Sequence, residues 1–179
     1  MLVVEFLRPR YTRSVVLCFF FVVYRNCLNL HRISVDLSTC TQTLIGHSDI
    51  IWDMDCSTAD SSLASASSDG TIKIWQVDVK KNGLYQLKST LKLSKTEPEV
   101  PTTVKWCPWA ASQVFVGYSN GTVRLWDAET EKVVSVFETK VEGELNGPVN
   151  GLALQGDLKV LLATIGKWIR GWNLSGTFL

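Results

Sequence analysis

The residues that could do chemistry are few and scattered. The 179-residue chain contains two histidines, His31 and His47, and five cysteines, Cys18, Cys27, Cys40, Cys56 and Cys107. No Cys-x-x-Cys pair occurs and neither histidine has a neighbour at metal-ligand spacing, so no metal site is expected. An odd, dispersed set of thiols reads as free cysteines in a reducing compartment, not as a disulfide framework. Serine nucleophiles of the hydrolase kind need a strained Gly-x-Ser-x-Gly elbow or an equivalent oxyanion hole, and the sequence offers neither. The expectation is no catalytic residue, no cofactor and no enzyme.

Composition narrows the partners. With 46% hydrophobic and 20% charged residues and a net charge of +1, the chain has material for a packed core and is not of disordered type. Of 18 basic and 17 acidic side chains, Arg8, Arg10, Arg13, Arg25 and Glu5 lie in residues 1–31, which leaves 14 basic against 16 acidic beyond them. That balance supplies no basic face for phosphates, so nucleic acid is not expected as a ligand. Ser14–Tyr24 is an apolar run of about ten residues, short of the roughly 20 that a spanning helix needs, and membrane association is not expected. Arg25-Asn26-Cys27 follows it where a signal peptide would have a small-x-small cleavage site. Three readings stay open: a poor signal sequence, an aggregation-prone buried strand, or a stretch translated from non-coding sequence.

The elements that position everything else announce themselves as a repeat. Ser68-Asp69-Gly70-Thr71-Ile72-Lys73-Ile74-Trp75 returns 51 residues later as Ser119-Asn120-Gly121-Thr122-Val123-Arg124-Leu125-Trp126. A degenerate copy follows after 46 more: Ile165-Gly166-Lys167-Trp168-Ile169-Arg170-Gly171-Trp172. Asp-Gly and Asn-Gly suit a two-residue hairpin turn in which both positions take positive φ. Ile50, Trp52, Met54 and Cys56 alternate with Ile51, Asp53 and Asp55, Val104 and Trp106 precede Pro108, and Lys132–Phe137 reads as an outer strand. No helical stripe is convincing. The prediction is an all-β chain built of four-stranded units of roughly 40–50 residues, as in propeller blades.

On these residues the chain resembles the WD-repeat β-propeller family, whose signature is Gly-His before the first strand and Trp-Asp ending the third. Gly46-His47 opens one blade and Trp75-Gln76 ends its third strand; Trp126-Asp127 keeps the dipeptide without a Gly-His; Trp172-Asn173 ends the last copy. Gly46, Gly70, Gly121, Trp126, Asp127 and Trp172 are the repeat-signature residues. Gly46-His47-Ser48-Asp49-Ile50-Ile51-Trp52-Asp53-Met54, followed by Pro101-Thr102-Thr103-Val104-Lys105-Trp106 and Pro148-Val149-Asn150, is similar to the striatins within that family. The resemblance covers residues 32–179 and implies a blade tail at 32–45 and blades at 46–93, 101–138 and 147–179, the last cut short. Residues 1–31 are expected to lie outside the propeller.

The resemblance also implies roles. A buried hydrogen-bond network is expected among His47, Ser65 (Ser67 being the second choice), Asp69 and Trp75. It looks like a Ser/His/Asp triad, yet the serine would sit in a packed strand, which makes these scaffold residues. Asn120 and Gly166 replace the aspartate in the later copies, so neither is expected to hold the network. Trp75, Trp126 and Trp172 read as core, Trp52 and Trp106 as packed first-strand residues. Trp109 and Trp168 are open to inter-blade packing or to service as partner contacts. Lys80, Lys81 and residues 94–99 read as solvated loops.

About three blades fall short of a closed ring, which leaves open blade edges. The chain is therefore expected to be a fragment or truncated product, or to self-associate through those edges. The striatin resemblance implies a cytoplasmic protein–protein scaffold for type 2A phosphatase subunits and kinases, these through the full-length protein. Residues 1–31 show no heptads for the coiled coil that striatins carry. A ubiquitin-ligase substrate receptor is the other WD-repeat adaptor class in view.

Overall fold

A computed structural model describes residues 3–6, 18–24, 27–33, 40–81, 83–93, 99–138, 147–156 and 158–174. The fold is all-β. Among the described residues fifteen strands form four antiparallel sheets, each a meander in chain order. The first sheet comprises β1 (Val3–Phe6), β2 (Cys18–Tyr24), β3 (Cys27–Ile33) and β4 (Cys40–Ile45). The second is β5 (Ile51–Cys56), β6 (Leu63–Ser67), β7 (Thr71–Asp78) and β8 (Leu84–Lys92), with a 3-10 turn at Val79–Lys81. The third is β9 (Pro101–Trp106), β10 (Gln113–Tyr118), β11 (Val123–Asp127) and β12 (Lys132–Phe137). The fourth has three described strands, β13 (Val149–Gln155), β14 (Val160–Ile165) and β15 (Trp168–Asn173).

Sheets two, three and four are the blades read from the repeat, stacked as an open propeller fragment. Residues 175–179, where the last outer strand was expected to begin, lie outside the described residues. The expected division at residue 31/32 falls inside β3, and strands stand on both sides of it. Within Ser14–Tyr24, Cys18–Tyr24 forms β2, in keeping with its aromatic and β-branched composition.

Packing between blades follows the two-residue period of the strands. The second and third sheets each meet the preceding sheet on one face and the following one on the other. Ala64, Ala66, Ile72, Ile74 and Leu91 of the second sheet pack on Val104, Val114, Val116 and Trp126 of the third. Phe115, Val123, Leu125 and Phe137 on the third sheet's far face pack on Leu152, Leu161, Ala163 and Trp172 of the fourth. Gly117 is required at that second junction: a Cβ there would lie 2.6 Å from both Thr103 Cγ2 and Val149 Cγ1.

The first blade junction is also polar, which the strand pattern alone did not disclose. The inner strands β5 and β9 lie side by side. Asp53 Oδ2 accepts from Val104 N at 3.0 Å and from Thr103 Oγ1 at 2.7 Å. Asp55 Oδ2 accepts from Trp106 N at 2.8 Å, while its Oδ1 meets Lys105 Nζ at 2.9 Å. Carboxylates at alternate residues of one strand thus satisfy amides at alternate residues of the next. Burial holds Asp55 above the usual carboxylate range, against the downward pull of Lys105 and the Trp106 amide.

Two local expectations are corrected. The Asp-Gly and Asn-Gly turns are not two-residue hairpins with paired positive φ. Gly70 (φ 79°) and Gly121 (φ 86°) alone take the left-handed region there. Gly70 N donates to Ser67 O and Gly121 N to Tyr118 O, so each is a four-residue turn closed by a left-handed glycine. Only the last copy is a two-residue loop: Ile165 pairs with Trp168, and Gly166 takes φ 56° at the first loop position, where such a turn favours glycine.

The second correction concerns Trp52, expected to be packed and in fact 48% exposed. The pairing of β5 with β6 shifts between Ile51 and Asp53, which makes Trp52 the extra residue of a β-bulge. The bulge breaks the alternation read from the sequence: Ile51 and Met54 are both buried, and Trp52 turns outward with its indole N–H on Ser68 Oγ at 2.6 Å. Register shifts recur at matching places in β9 and β13, leaving Thr102 and Asn150 as the unpaired residues.

Candidate functional site

The Gly-His loop, the end of β6, the β6–β7 turn and β7 converge at one end of the second sheet. His47 precedes β5, Ser65 lies in β6, Asp69 stands in the turn and Trp75 in β7. The structure brings all four together. Trp75 Nε1 donates to Ser65 Oγ at 3.0 Å. Ser65 Oγ lies 2.8 Å from His47 Nε2, and His47 Nδ1 lies 2.9 Å from Asp69 Oδ2. Thr71 adds two donors to Asp69 Oδ1, its amide at 2.9 Å and its hydroxyl at 2.6 Å, and Ser48 N reaches Oδ2 at 3.0 Å. Ser67, the second choice for the serine position, bonds elsewhere, to Asp49 O.

The proton order follows from charge. Burial tends to raise the Asp69 pKa but is outweighed by the hydrogen bonds from Thr71, His47 and Ser48, which hold it at about 2. An ionised carboxylate only accepts, so His47 Nδ1 carries the proton facing it. Burial lowers the His47 pKa, more than Asp69 raises it; the ring is neutral and Nε2 accepts. The Ser65 hydroxyl therefore donates to His47 Nε2 and accepts from the Trp75 indole. The chain of donors runs one way: Trp75, Ser65 and, from the far side of the imidazole, His47 to Asp69.

That arrangement ties the Gly-His loop, β6, the β6–β7 turn and β7 together. Ser65 and the His47 side chain are fully buried. The serine oxygen is occupied by the indole, and Trp75 stands edge-on to the imidazole with centroids 6.5 Å apart. A nucleophile needs room for a reacting carbonyl and donors for its oxyanion, and the β6 serine is enclosed by sheet. Gly46 shares the confinement: a Cβ on it would lie 2.9 Å from the Trp75 ring.

The third sheet repeats half of the network and replaces the rest. Asn120 Oδ1 accepts from Thr122 N at 3.0 Å and Thr122 Oγ1 at 2.8 Å, as Asp69 does from Thr71. Val116 stands where Ser65 stands, and the Trp126 indole donates instead to Tyr118 Oη at 2.9 Å. Tyr118 is fully buried under Arg124, whose guanidinium lies 5.1 Å from the ring centroid and pairs with Glu99 at 2.9 Å. Glu99, expected in a solvated loop, thus closes a largely buried ion pair. Asp127 follows Trp126 and caps the next turn, accepting from Glu129 N and Thr130 N. No signal in the sequence pointed to Tyr118, Glu99, Asp53 or Asp55; the first two find their partners within the third blade and the last two across the blade junction.

The two tryptophans left open part company. Trp109 is half-buried against the cluster between the third and fourth sheets. Trp168 is 44% exposed, with Lys167 Nζ and Arg170 Cζ lying 5.1 and 5.5 Å from its ring centroid. Among the described residues, no helix is long and apolar enough to cross a membrane, and no cluster of three His, Cys, Asp or Glu side chains could hold a metal.

Comparison with known proteins agrees with this geometry. Residues 38–76 match the family described as "WD domain, G-beta repeat", a span holding β4 to β7 save the last residues of β7. Human (Homo sapiens) striatin is 26% identical over 113 residues, covering 63% of this chain and 14% of striatin. Mouse (Mus musculus) striatin-4 is 30% identical over 105 residues, 59% of this chain and 13% of that protein. Mouse jouberin is 24% identical over 99 residues, 55% of this chain and 9% of jouberin. The matched region is thus a small part of each of these relatives.

Proposed function

We propose that this chain, a WD-repeat protein resembling striatin, is a non-catalytic docking module of cytoplasmic signalling complexes that unite type 2A protein phosphatase with kinases. A WD-repeat protein-interaction scaffold is what the repeat match and the striatin and jouberin relatives support; the phosphatase–kinase setting is our extension of the striatin likeness. The observation that carries the reading is the buried network of His47, Ser65, Asp69 and Trp75. The residue types that could have formed a hydrolytic site are consumed in fixing one blade, and stacked blades offer loops on a stiff frame as contact surface.

The test is reconstitution. Purified chain, immobilised and titrated with type 2A phosphatase subunits and with candidate kinases, is expected to retain at least one of them saturably. Retention of none, when a full-length striatin retains its subunits in the same assay, refutes the signalling-complex setting. Hydrolytic turnover that disappears in Ser65→Ala refutes the non-catalytic reading.

A further inference from the structure

The outer edges of the second and third blades are built alike and guarded differently. β8 and β12 each end their sheet on the side away from the inner strand, and neighbouring blades pack on a sheet's faces, not on that edge. Both strands carry a one-residue bulge at the same place: Lys88 is the extra residue opposite Trp75, and Val134 the extra residue opposite Trp126. A lysine and a bulge are two devices that keep an edge strand from pairing. β8 has both. β12 has the bulge alone, and its exposed Val133, Val134 and Val136 stand where β8 has Leu87, Lys88 and Thr90. Val133 opposes Trp126 and Val136 opposes Arg124, on the face turned toward the second sheet. With all four strands of that sheet in place, Val134 and Val136 are still 52% and 50% exposed.

We propose that β12 pairs antiparallel with β12 of a second copy of this chain, about a twofold axis at Ser135. The strand is self-complementary in that arrangement. Val136 of each copy opposes the Val133–Val134 bulge of the other, as Trp126 opposes it within the sheet, so the exposed valines of both copies meet on one face. At each end the exposed Lys132 of one copy falls between its own Glu131 and Glu138 of the other, an alternation of charge that sets direction and register. Backbone amides and carbonyls on the outer side of β12 gain strand partners, and two four-stranded sheets become one. The same pairing of β8 about Ser89 would set two Lys88 side chains beside the axis, which selects β12 over β8. The proposal goes beyond the docking function above and does not depend on it.

The experiment is sedimentation velocity on the whole chain over a concentration series, and a monomer–dimer equilibrium is expected. Val134→Lys gives β12 the residue that β8 carries, and Lys132→Glu gathers three carboxylates at each end of the pairing. Each is expected to raise the dimer Kd about tenfold or more. Adding Glu138→Lys to Lys132→Glu returns one cation to each end and should bring the Kd back to within about threefold of the native value. Lys92→Glu, on β8, should leave it unchanged. A chain monomeric at every concentration would overturn the proposal and leave the edge to a strand of another protein. A dimer untouched by Val134→Lys, or a double variant as weak as Lys132→Glu, would also overturn it. Larger assemblies indifferent to all these variants would overturn it in favour of association through blade faces. None of these outcomes bears on the phosphatase reconstitution, so the two readings fail separately.

Discussion

Removing the Asp69 carboxylate probes the blade's polar lock at its most connected point. In Asp69→Ala four donors lose their acceptor: Thr71 N and Oγ1, His47 Nδ1 and Ser48 N. Ser48 is exposed and water replaces its partner. The His47 side chain has no solvent exposure, and its one near substitute is Thr71 Oγ1 at 3.3 Å, beyond good hydrogen-bond length. One poorly satisfied buried N–H and a loosened turn amide place the loss at about 2 kcal/mol. Asp69→Asn should cost about 1 kcal/mol or less. Its amide oxygen keeps both Thr71 bonds, as Asn120 does with Thr122, and His47 can move its proton to Nε2 and donate to Ser65 Oγ, freeing that hydroxyl to turn toward Lys73 O at 3.5 Å.

The pH dependence separates charge from shape. The Asp69 pKa is depressed in the fold to about 2, so its contribution is present above the unfolded carboxylate value and is lost as pH falls from about 4 toward 2. At about 1.4 kcal/mol per pH unit, and discounted for solvent screening, that loss amounts to about 1–2 kcal/mol. His47, lowered by burial, adds an earlier erosion that begins as pH falls below about 6.5, when the unfolded chain protonates first. Urea denaturation at pH 7, 5 and 3, followed by tryptophan fluorescence, measures both effects. The difference between the native chain and Asp69→Asn should narrow below pH 4. Nitrogen-15 shifts of the two histidines report the proton position, on Nδ1 in the native His47 and on Nε2 in the asparagine variant. Stability of Asp69→Ala within about 0.5 kcal/mol of the native chain, or an Nε2 proton in the native protein, would refute the reasoning.

Two further perturbations test the substitutes used elsewhere in the fold. Tyr118→Phe strands the buried Trp126 indole N–H and should cost about 1–2 kcal/mol by the same denaturation measurement, whereas a sequence reading that sees only a core aromatic expects almost nothing. Asp55→Ala leaves the buried Trp106 N–H unpaired across the blade junction and should cost about 1–3 kcal/mol, with faster amide exchange at Trp106. Because the Asp55 pKa is raised in the fold, the native group's penalty recedes as pH falls through its folded value, opposite in sign to Asp69, and the variant should lack that component.

The sequence by itself determined the all-β class and the repeat that runs through the second, third and fourth sheets. Turn dipeptides followed by alternating strands that end in Trp75, Trp126 and Trp172 recur along the chain, and local hydrogen bonding and a two-residue period suffice to read them. His47, Ser65, Asp69 and Trp75 were also legible, through the family likeness and within one blade. Tertiary structure alone decided the rest. Trp52 is exposed because a one-residue bulge reverses which side chains face the core, a phase slip that the sequence pattern does not mark. Tyr118 serves Trp126 because Val116 stands where the second sheet has Ser65 and folding brings the Tyr118 hydroxyl to the indole, and Glu99 is buried because Arg124 lies over Tyr118. Asp53 and Asp55 look like the solvated half of an alternating strand until β9 is laid beside them and presents its unpaired amides. A strand carries its own periodicity in its sequence, but a buried polar group finds its partner only when another strand arrives, and that partner can lie about fifty residues away.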